Sequence, residues 1–438
     1  MGRQSYACAR WSTSTRYAAM RGSGSRHFQC ALTAGLVLVA TILAGCSSAP
    51  SVTPKKTTTT TAATTTTYAQ PAPGTVTQLT AIAFFNPNHG YGYFIQSAPS
   101  SCQAKVGPTS DGGAIFPRLT TVVSWPCSNS APASSLAFDD HGDGFLYGPD
   151  LFVTHDGGAT WTASQQPGSI ISVEALGTSI WMVEVECPNP TGAAECPLIL
   201  QESTDGGRVW SSSVAPAGAT ASALFAEGGR GQTWLARTSQ SSAYLMSDPA
   251  NFMSGQPGPV PLWFTSDGGT TWSGRSVSCS IGEWTVSLSA APDGTLLAVC
   301  AGQPSAGMQV KSTERSMDGG VTWTTQSACD ITSGSSSTTC VTEPPTSGYL
   351  GAIDAVSANT LFLVGGRSSL LVSRDGGVTW QAVQPLIGDT SDGSAQVIFF
   401  DSSDGIVLAN DGSTDDVATL WSTTDGGVSW KERVPQVG

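Results

Sequence analysis

The segment Thr154-His155-Asp156-Gly157-Gly158-Ala159-Thr160-Trp161 contains the pattern that decides the fold of this chain. The pattern is Ser or Thr, any residue, Asp-Gly-Gly, two further residues and an aromatic residue, and we call each instance a DGG turn. Seven DGG turns occur in the 438 residues, at 109–116, 154–161, 203–210, 265–272, 316–323, 373–380 and 423–430. Their aspartates are 45, 49, 62, 51, 57 and 50 residues apart, which suits one four-stranded β-propeller blade per repeat.

The residue types of the DGG turn predict a tight hairpin with a structural role. Paired glycines permit the positive φ angles of such a hairpin, and the carboxylate and hydroxyl groups can bond to the turn's own amides. The aromatic residue then enters the outer strand and packs between blades. We therefore interpret the aspartates as structural and not catalytic. They are Asp111, Asp156, Asp205, Asp267, Asp318, Asp375 and Asp425, and the tryptophans are Trp161, Trp210, Trp272, Trp323, Trp380 and Trp430.

A second repeating feature precedes each DGG turn, namely two apolar stretches that flank a short turn. These pairs lie at 81–94, 135–147, 172–183, 223–236, 287–299, 352–364 and 397–409. Each repeat therefore predicts strands A and B, a loop, strand C, the DGG turn and strand D. The predicted fold is all-β, a seven-bladed β-propeller of four-stranded antiparallel blades over residues 79–434, with no strand exchanged between the termini.

The DGG turn resembles the Asp box, or BNR repeat, of the sialidase superfamily, sortilin-type ectodomains, some glycoside hydrolases and photosystem II stability/assembly factors. The short A–B turn and the D-G-G-x-T-W rhythm are most similar to the assembly factors. That resemblance implies a non-catalytic scaffold that binds partner proteins. This chain departs from those factors because it carries many cysteines and is acidic where they present an arginine patch, so a photosystem partner is not carried over.

The N-terminus reads as a signal for export. Residues 31–45 are apolar but too few for a membrane-spanning helix of about 20 residues. Arg21 and Arg26 precede them, and Leu43-Ala44-Gly45-Cys46 follows, which resembles the lipobox of bacterial lipoproteins. The resemblance implies a signal peptide over 1–45, with Met20 as a possible start. It also implies a lipid on Cys46, attachment to the outer face of the bacterial cell membrane, and a Thr- and Pro-rich linker over 46–78. A plain signal peptide or a single-pass anchor is the alternative.

Eight cysteines follow Cys46, and an even number in an exported chain predicts disulfides. Their connectivity stays open, and the simplest scheme joins neighbours as Cys102–Cys127, Cys187–Cys196, Cys279–Cys300 and Cys329–Cys340. A metal site is disfavoured, since no C-x₂-C pair occurs and few histidines remain.

Two acidic segments, 139–143 and 401–404, are interpreted as solvated turns, with bound calcium as the alternative.

Charge and motifs limit the function. After residue 45 the chain has 14 basic and 32 acidic residues, a net charge of −18, which disfavours nucleic acid as a partner. No P-loop, dinucleotide fingerprint or H-E-x-x-H motif occurs, so no cofactor is predicted. Three long loops, at about 185–197, 238–261 and 326–349, are expected on the face opposite the DGG turns and are the predicted binding region.

The sialidase reading is the enzymatic alternative. That family requires three arginines around the substrate carboxylate, a Tyr–Glu nucleophile pair and an Asp that acts as the acid. Its Arg-Ile-Pro signature is absent from this chain. Arg237 and Arg367 lie at the ends of predicted B strands, from which they could point to the pore. We predict a cell-surface lipoprotein propeller that binds a protein or glycan without catalysis. A sialidase-like or other glycoside hydrolase is the alternative.

Overall fold

The computed structural model describes residues 76–187, 195–213, 215–222, 234–247, 259–281, 285–303, 305, 307–328, 344–365, 370–385, 387, 396–410 and 418–438. All of these belong to one compact unit, whereas a second unit, Ala19–Ala69, lies outside the described residues. The described residues form 31 β-strands, and no helix capable of crossing a membrane occurs among them. The chain is an all-β, seven-bladed β-propeller, which confirms the predicted fold.

Each blade is a meander of four antiparallel strands that follow one another in the chain. Blade 1 contains β1 (Val76–Phe84), β2 (Gly90–Ser97), β3 (Cys102–Thr109) and β5 (Thr120–Trp125), with the short β4 (Ile115–Phe116) inside its DGG turn. Blade 2 contains β6 (Ser135–Phe138), β7 (Gly144–Tyr147), β8 (Leu151–Thr154) and β9 (Thr162–Ser164). Blade 3 contains β10 (Ser169–Leu176), β11 (Ser179–Val185), β12 (Glu195–Ser203) and β13 (Ser211–Ser213), and β14 (Thr220–Ser222) also pairs with β12.

Blades 4 to 7 repeat the same order. Blade 4 contains β15 (Trp234–Arg237), β16 (Ala243–Met246), β17 (Val260–Thr265) and β18 (Ser273–Val277). Blade 5 contains β19 (Thr285–Ala290), β20 (Leu296–Ala301), β21 (Lys311–Ser316) and β22 (Thr324–Ala328). Blade 6 contains β23 (Leu350–Ala355), β24 (Leu361–Gly365), β25 (Leu371–Ser373) and β26 (Gln381–Ala382). Blade 7 contains β27 (Gln396–Phe399), β28 (Gly405–Asn410), β29 (Ala418–Thr423) and β30 (Lys431–Arg433), and β31 (Gln436–Val437) ends the chain.

Blade 4 differs from the prediction. The sequence placed its A and B strands within 223–236 and a long B–C loop over 238–261, but β15 is strand A and β16 is strand B. The apolar stretch of β16 is only four residues long and is flanked by serines, so the sequence did not indicate a strand. Its strand conformation comes from pairing with β15 on one edge and β17 on the other. The amide of Gly268 donates to the carbonyl of Ser241 at 2.8 Å, which identifies 238–242 as the A–B turn. Residues 223–233 lie outside the described residues.

All seven DGG turns share one hydrogen-bond pattern. The Ser or Thr hydroxyl donates to the aspartate Oδ1 at 2.7–2.9 Å and accepts from the second glycine amide at 2.7–3.1 Å. The same Oδ1 accepts from the amide four residues further on at 2.8–3.0 Å. Both glycines have φ between 69° and 95°, a region that side chains with a Cβ rarely adopt.

Seven hydrophobic clusters make up the core, and each lies at one boundary between neighbouring blades. The aromatic residue of every DGG turn belongs to the cluster between its own blade and the preceding one. Phe116 of blade 1 packs with Leu420 of blade 7 in the cluster that closes the ring. The aromatic residues therefore hold blade to blade, and burial of their rings stabilises the ring as a whole.

Ring closure uses contacts that the sequence did not predict. The terminal strand β31 pairs in parallel with β4, through the Gln436 amide to the Ala114 carbonyl at 2.9 Å and the Gly438 amide to the Phe116 carbonyl at 3.0 Å. In addition, the Gln396 side chain accepts from the Ile82 amide at 2.6 Å. Every blade still consists of its own four strands. The strands extend from Val76 to Val437, slightly beyond the predicted 79–434.

Three of the four neighbouring cysteine pairs form disulfides, Cys102–Cys127, Cys187–Cys196 and Cys279–Cys300. Cys329 and Cys340 lie outside the described residues, as do Cys46, the signal segment and the linker up to residue 75. Cys187–Cys196 links the end of β11 to the start of β12, at the base of the predicted loop 185–197.

Candidate functional site

The polar side chains of several inner strands are used to join blades. Ser289 Oγ accepts from the Ala355 amide of the next blade at 2.9 Å, and Asp354 Oδ2 accepts from the Phe399 amide at 2.8 Å. Gln396 continues the series into blade 1. Because these groups are buried and hydrogen-bonded across boundaries, their role is to hold neighbouring blades in register.

Arg237, which the sialidase alternative could have placed at the pore, lies between two blades instead. Its side chain is buried between blades 3 and 4, where Nη1 donates to the Ser179 carbonyl at 2.7 Å and Nη2 donates to the Gln240 carbonyl at 3.1 Å. The guanidinium also lies 4.7 Å from the centre of the Trp181 ring. Burial lowers the pKa of Arg237 to about 10 and raises the pKa of nearby Glu174 to about 8. Arg367 lies outside the described residues.

Lys311 is a second buried cation, with 1% of its surface exposed. Its ammonium donates to the carbonyls of Gln309 at 3.1 Å, Pro345 at 3.0 Å and Gly348 at 3.0 Å. Burial lowers the pKa of Lys311 to about 7. The lysine thereby ties strand β21 to the chain that leads into blade 6.

The acidic segment 139–143 forms the predicted A–B turn, but only its middle is solvated, with the side chain of Asp140 48% exposed and both end aspartates buried. Asp139 is fully buried and accepts from the amides of His141 at 2.9 Å and Asp143 at 2.8 Å, and burial raises its pKa. Asp143 is 3% exposed and is engaged by Arg208 and His155. Within the described ranges, no three His, Cys, Asp or Glu side chains are placed to hold a metal ion.

The second acidic segment has the geometry of an ordinary turn. Asp401 is exposed, and its Oδ1 accepts from the amides of Ser403 at 2.7 Å and Asp404 at 2.8 Å. Because the carboxylate bonds to its own turn, local backbone geometry accounts for the aspartate at this position.

At most blade boundaries a long side chain of the preceding blade covers the next DGG turn. Examples are Arg433 against Gly112, Arg275 against Gly319, and Arg374, which donates to the Gly426 carbonyl at 3.2 Å. In the same way, Tyr91 lies against DGG turn 2, Glu202 against DGG turn 4 and Arg315 against DGG turn 6. DGG turn 3 is the exception, since the short carboxylate of Asp143 meets it instead.

An open groove of about 410 Å³ lies at this exceptional boundary between blades 2 and 3. Its walls come from β8, β9 and DGG turn 2 on one side and from DGG turn 3 on the other, and we call it the 2–3 groove. A smaller pocket of about 240 Å³ follows the same strand β9 and shares Ala163 and Ser164 with it. The 2–3 groove has the size of a site for a small ligand or one segment of a polymer.

Charged groups at the mouth of the 2–3 groove are paired with one another. Arg208 donates from Nη1 to Asp143 Oδ2 and from Nη2 to Asp143 Oδ1, each at 3.0 Å. His155 Nδ1 lies 2.8 Å from Asp143 Oδ1. Asp156 is hydrogen-bonded to Thr160 and Thr154, and these bonds lower its pKa to about 2.

Three polar groups of residues that line the groove make no hydrogen bond within the described part of the chain. They are Nε2 of His155, Nε of Arg208 and the hydroxyl of Thr162. The half-buried indole of Trp210 completes the wall and packs edge-on against Phe145, with ring centres 6.0 Å apart. The groove therefore offers an imidazole nitrogen, a guanidinium N–H donor, a hydroxyl and an aromatic surface.

The predicted binding region lies on three long loops, and nothing in the sequence predicted the 2–3 groove. Only the ends of the loops 185–197 and 326–349 lie within the described residues, and the loop at 238–261 contains β16. One repeat position differs at this boundary. The third residue after the DGG tryptophan is Arg275 in blade 4 and Arg433 in blade 7, but Ser164 in blade 2. Ser213 of blade 3 also has a small side chain at this position, so the repeats alone do not identify the groove.

The sequence matches no protein-family model and no curated protein. Similar solved structures include YCF48 bound to a D1 peptide, at 19% identity and a TM-score of 0.44, covering 83% of this chain and 94% of that one. YCF48 from Cyanidioschyzon merolae has 17% identity and a TM-score of 0.44, with coverage of 81% and 95%. An ancestral GH74 enzyme has 12% identity and a TM-score of 0.46, with coverage of 84% and 47%.

Proposed function

We propose that this chain is an exported lipoprotein whose propeller binds a protein or glycan at the cell surface without chemically changing it. One observation carries this proposal. The 2–3 groove offers groups that bind a ligand, but its carboxylates are already engaged, Asp143 by Arg208 and Asp156 by its own turn. Glycoside hydrolysis typically needs two carboxyl groups, one of which stays protonated to act as an acid. An aspartate with a pKa of about 2 does not supply that acid.

Three buried charged groups support the same conclusion. Arg237, Lys311 and Asp354 each bond to backbone groups at blade boundaries or between chain segments. Groups used in this way are not free to act on a substrate. The similar solved structures include both a peptide complex and an enzyme, so they do not choose between binding and catalysis.

Export and anchoring rest on the N-terminal segment and on the disulfides. Three disulfides are typical of a chain that folds outside the cytoplasm. Cys46 is the proposed site of the lipid, and the Thr-rich segment up to residue 75 is the proposed tether.

The anchor is tested by growing a bacterial host that expresses the full chain with an alkyne-labelled fatty acid. We expect wild-type chain and Cys30→Ser, a change within the signal segment, to carry the label and remain with the membrane. Cys46→Ser should lose the label. Equal labelling of Cys46→Ser would refute the lipid site.

The binding function is tested with the full chain purified from membranes in detergent. We expect saturable binding to an immobilised surface-protein fraction or to a glycan array, with no release of reducing sugar or fluorophore from glycoside substrates. Turnover above that of a heat-denatured sample would contradict the proposal and favour the glycoside hydrolase.

A further inference from the structure

We propose that the 2–3 groove is a binding site for a neutral saccharide. This inference rests on the proposed function, because it names the ligand class and the surface that receives it. Openness, charge and the pattern of hydrogen-bonding groups each bear on the choice of ligand.

The groove is open because blade 2 has a small side chain where blades 4 and 7 have an arginine. In blades 4 and 7 the third residue after the DGG tryptophan is Arg275 or Arg433, and each arginine lies against the following DGG turn. In blade 2 this residue is Ser164, which lines the groove without filling it. The same scaffold thus closes two boundaries and leaves this one accessible.

The charge in the groove disfavours an acidic ligand. Arg208 and Asp143 form a bidentate ion pair and cancel each other. Asp156 remains as an exposed negative charge on the wall, and its oxygens already accept from Thr154 and Thr160. A phosphate, sulfate or carboxylate would be repelled by Asp156 and would find no unpaired cation to compensate.

The unpartnered groups favour a ligand that both donates and accepts. Because Nδ1 of His155 bonds to the Asp143 carboxylate, Nε2 is left to accept from a ligand hydroxyl when the ring is neutral and to donate to one when it is protonated. Nε of Arg208 is a donor, and the Thr162 hydroxyl is both. Sugar hydroxyls satisfy all three groups, and the apolar face of a sugar ring packs well on an indole such as Trp210.

An extended peptide fits less well. A peptide that adds to a sheet edge is held by successive backbone hydrogen bonds along that edge. The outer edge here is β9, which has only three residues, Thr162–Ser164. The groove's unpartnered groups are side-chain atoms from separate elements, which suits hydroxyls arranged around a ring.

The test fills the groove with the arginine that other blades already carry. Ser164→Arg places a long side chain at the position of Arg275 and Arg433. The matched control is Gln326→Arg, which occupies the same repeat position in blade 5, where Arg315 already covers the next DGG turn. Full-length wild-type chain and both variants are titrated by calorimetry with neutral gluco-, xylo-, manno-, galacto- and chito-oligosaccharides and with a sulfated oligosaccharide.

We expect at least one neutral oligosaccharide to bind the wild-type chain and Gln326→Arg alike. Ser164→Arg should weaken that binding at least about tenfold while its circular dichroism and melting temperature stay close to those of the control. Thr162→Val, which removes one hydroxyl from the wall, should weaken it by about three- to tenfold, in keeping with the loss of one hydrogen bond.

Several outcomes would overturn the inference. Binding that survives Ser164→Arg would place the saccharide elsewhere, and preference for the sulfated probe would refute the charge argument. If no saccharide binds but a surface protein does, and Ser164→Arg abolishes its binding, the groove is a protein site and the proposed binding function stands. If neither glycans nor proteins bind, the proposed function itself fails.

Discussion

The guanidinium of Arg208 donates two hydrogen bonds of 3.0 Å to the carboxylate of Asp143, although 65 residues separate them in the chain. Arg208 belongs to the DGG turn of blade 3, and Asp143 ends the A–B turn of blade 2. The carboxylate is 3% exposed and also contacts His155. This pair joins two blades at the mouth of the 2–3 groove and fixes the orientation of the groups on its wall.

Removing the charge of Asp143 should therefore destabilise the propeller. We expect Asp143→Asn to lower the free energy of unfolding by about 1–3 kcal/mol, because a hydrogen-bonded ion pair loses its anion in a buried setting. Urea denaturation monitored by tryptophan fluorescence measures the change. The control is Asp140→Asn, whose side chain is 48% exposed and which should change stability little. Equal effects of the two substitutions would contradict a bridging role for Asp143.

The hydroxyl of Thr322 should control the acidity of Asp318. Several hydrogen bonds together lower the pKa of Asp318 from 3.8 to about 2, and the bond from the Thr322 hydroxyl is the largest of these influences. Because the folded-state pKa lies below the unfolded one, the resulting stability is complete above pH about 4 and is lost as the pH falls toward 2. Thr322→Val should raise the pKa of Asp318 toward 3.8, as measured by NMR titration of the carboxyl carbon. Thr325→Val, which alters an exposed hydroxyl on β22, should leave it unchanged.

Because of Lys311, the free energy of unfolding should increase as the pH rises above 7. The pKa of Lys311 falls from 10.5 in the unfolded chain to about 7 in the folded protein because of burial. Between these values the unfolded chain binds more protons than the folded one, so the free energy of unfolding rises as the pH increases from 7. Urea denaturation at pH 7, 8 and 9 should show this rise in the wild-type chain and a smaller one in Lys311→Met. An unchanged slope in Lys311→Met, with the exposed Lys431→Met as the control, would disprove the assignment.

The C-terminal strand should contribute to ring closure through its backbone. Gln436→Pro removes the amide that donates to the Ala114 carbonyl, whereas Gln436→Ala keeps it. We expect the proline variant to lose about 1 kcal/mol or more of unfolding free energy relative to the alanine variant, as is usual for one hydrogen bond. Hydrogen exchange of the Gly438 amide should accelerate in parallel. If the two variants unfold at the same urea concentration, β31 does not hold the ring closed.

The sequence predicted the parts of the fold that local geometry governs. The atoms that shape a DGG turn, such as Thr154, Asp156 and the amide of Thr160, lie within seven consecutive residues, so the pattern alone predicts the hairpin. Seven copies then predict seven blades. Blade 4 was placed wrongly because β16 is short and its strand character comes from pairing with β15 and β17.

The amino-acid sequence by itself determined the all-β class, the number of blades and the repeat positions, since each depends on residues close together in the chain. Only the tertiary structure decided that Arg237 is buried, that Gln396 bonds to Ile82 across 314 residues, and that the boundary beside Ser164 is open. These features depend on which side chains meet across blade boundaries. Arg275 and Arg433 cover the next DGG turn at two boundaries, whereas Ser164 is too short to do so at the third. Whether a side chain from another strand covers the turn instead is not written in any local pattern.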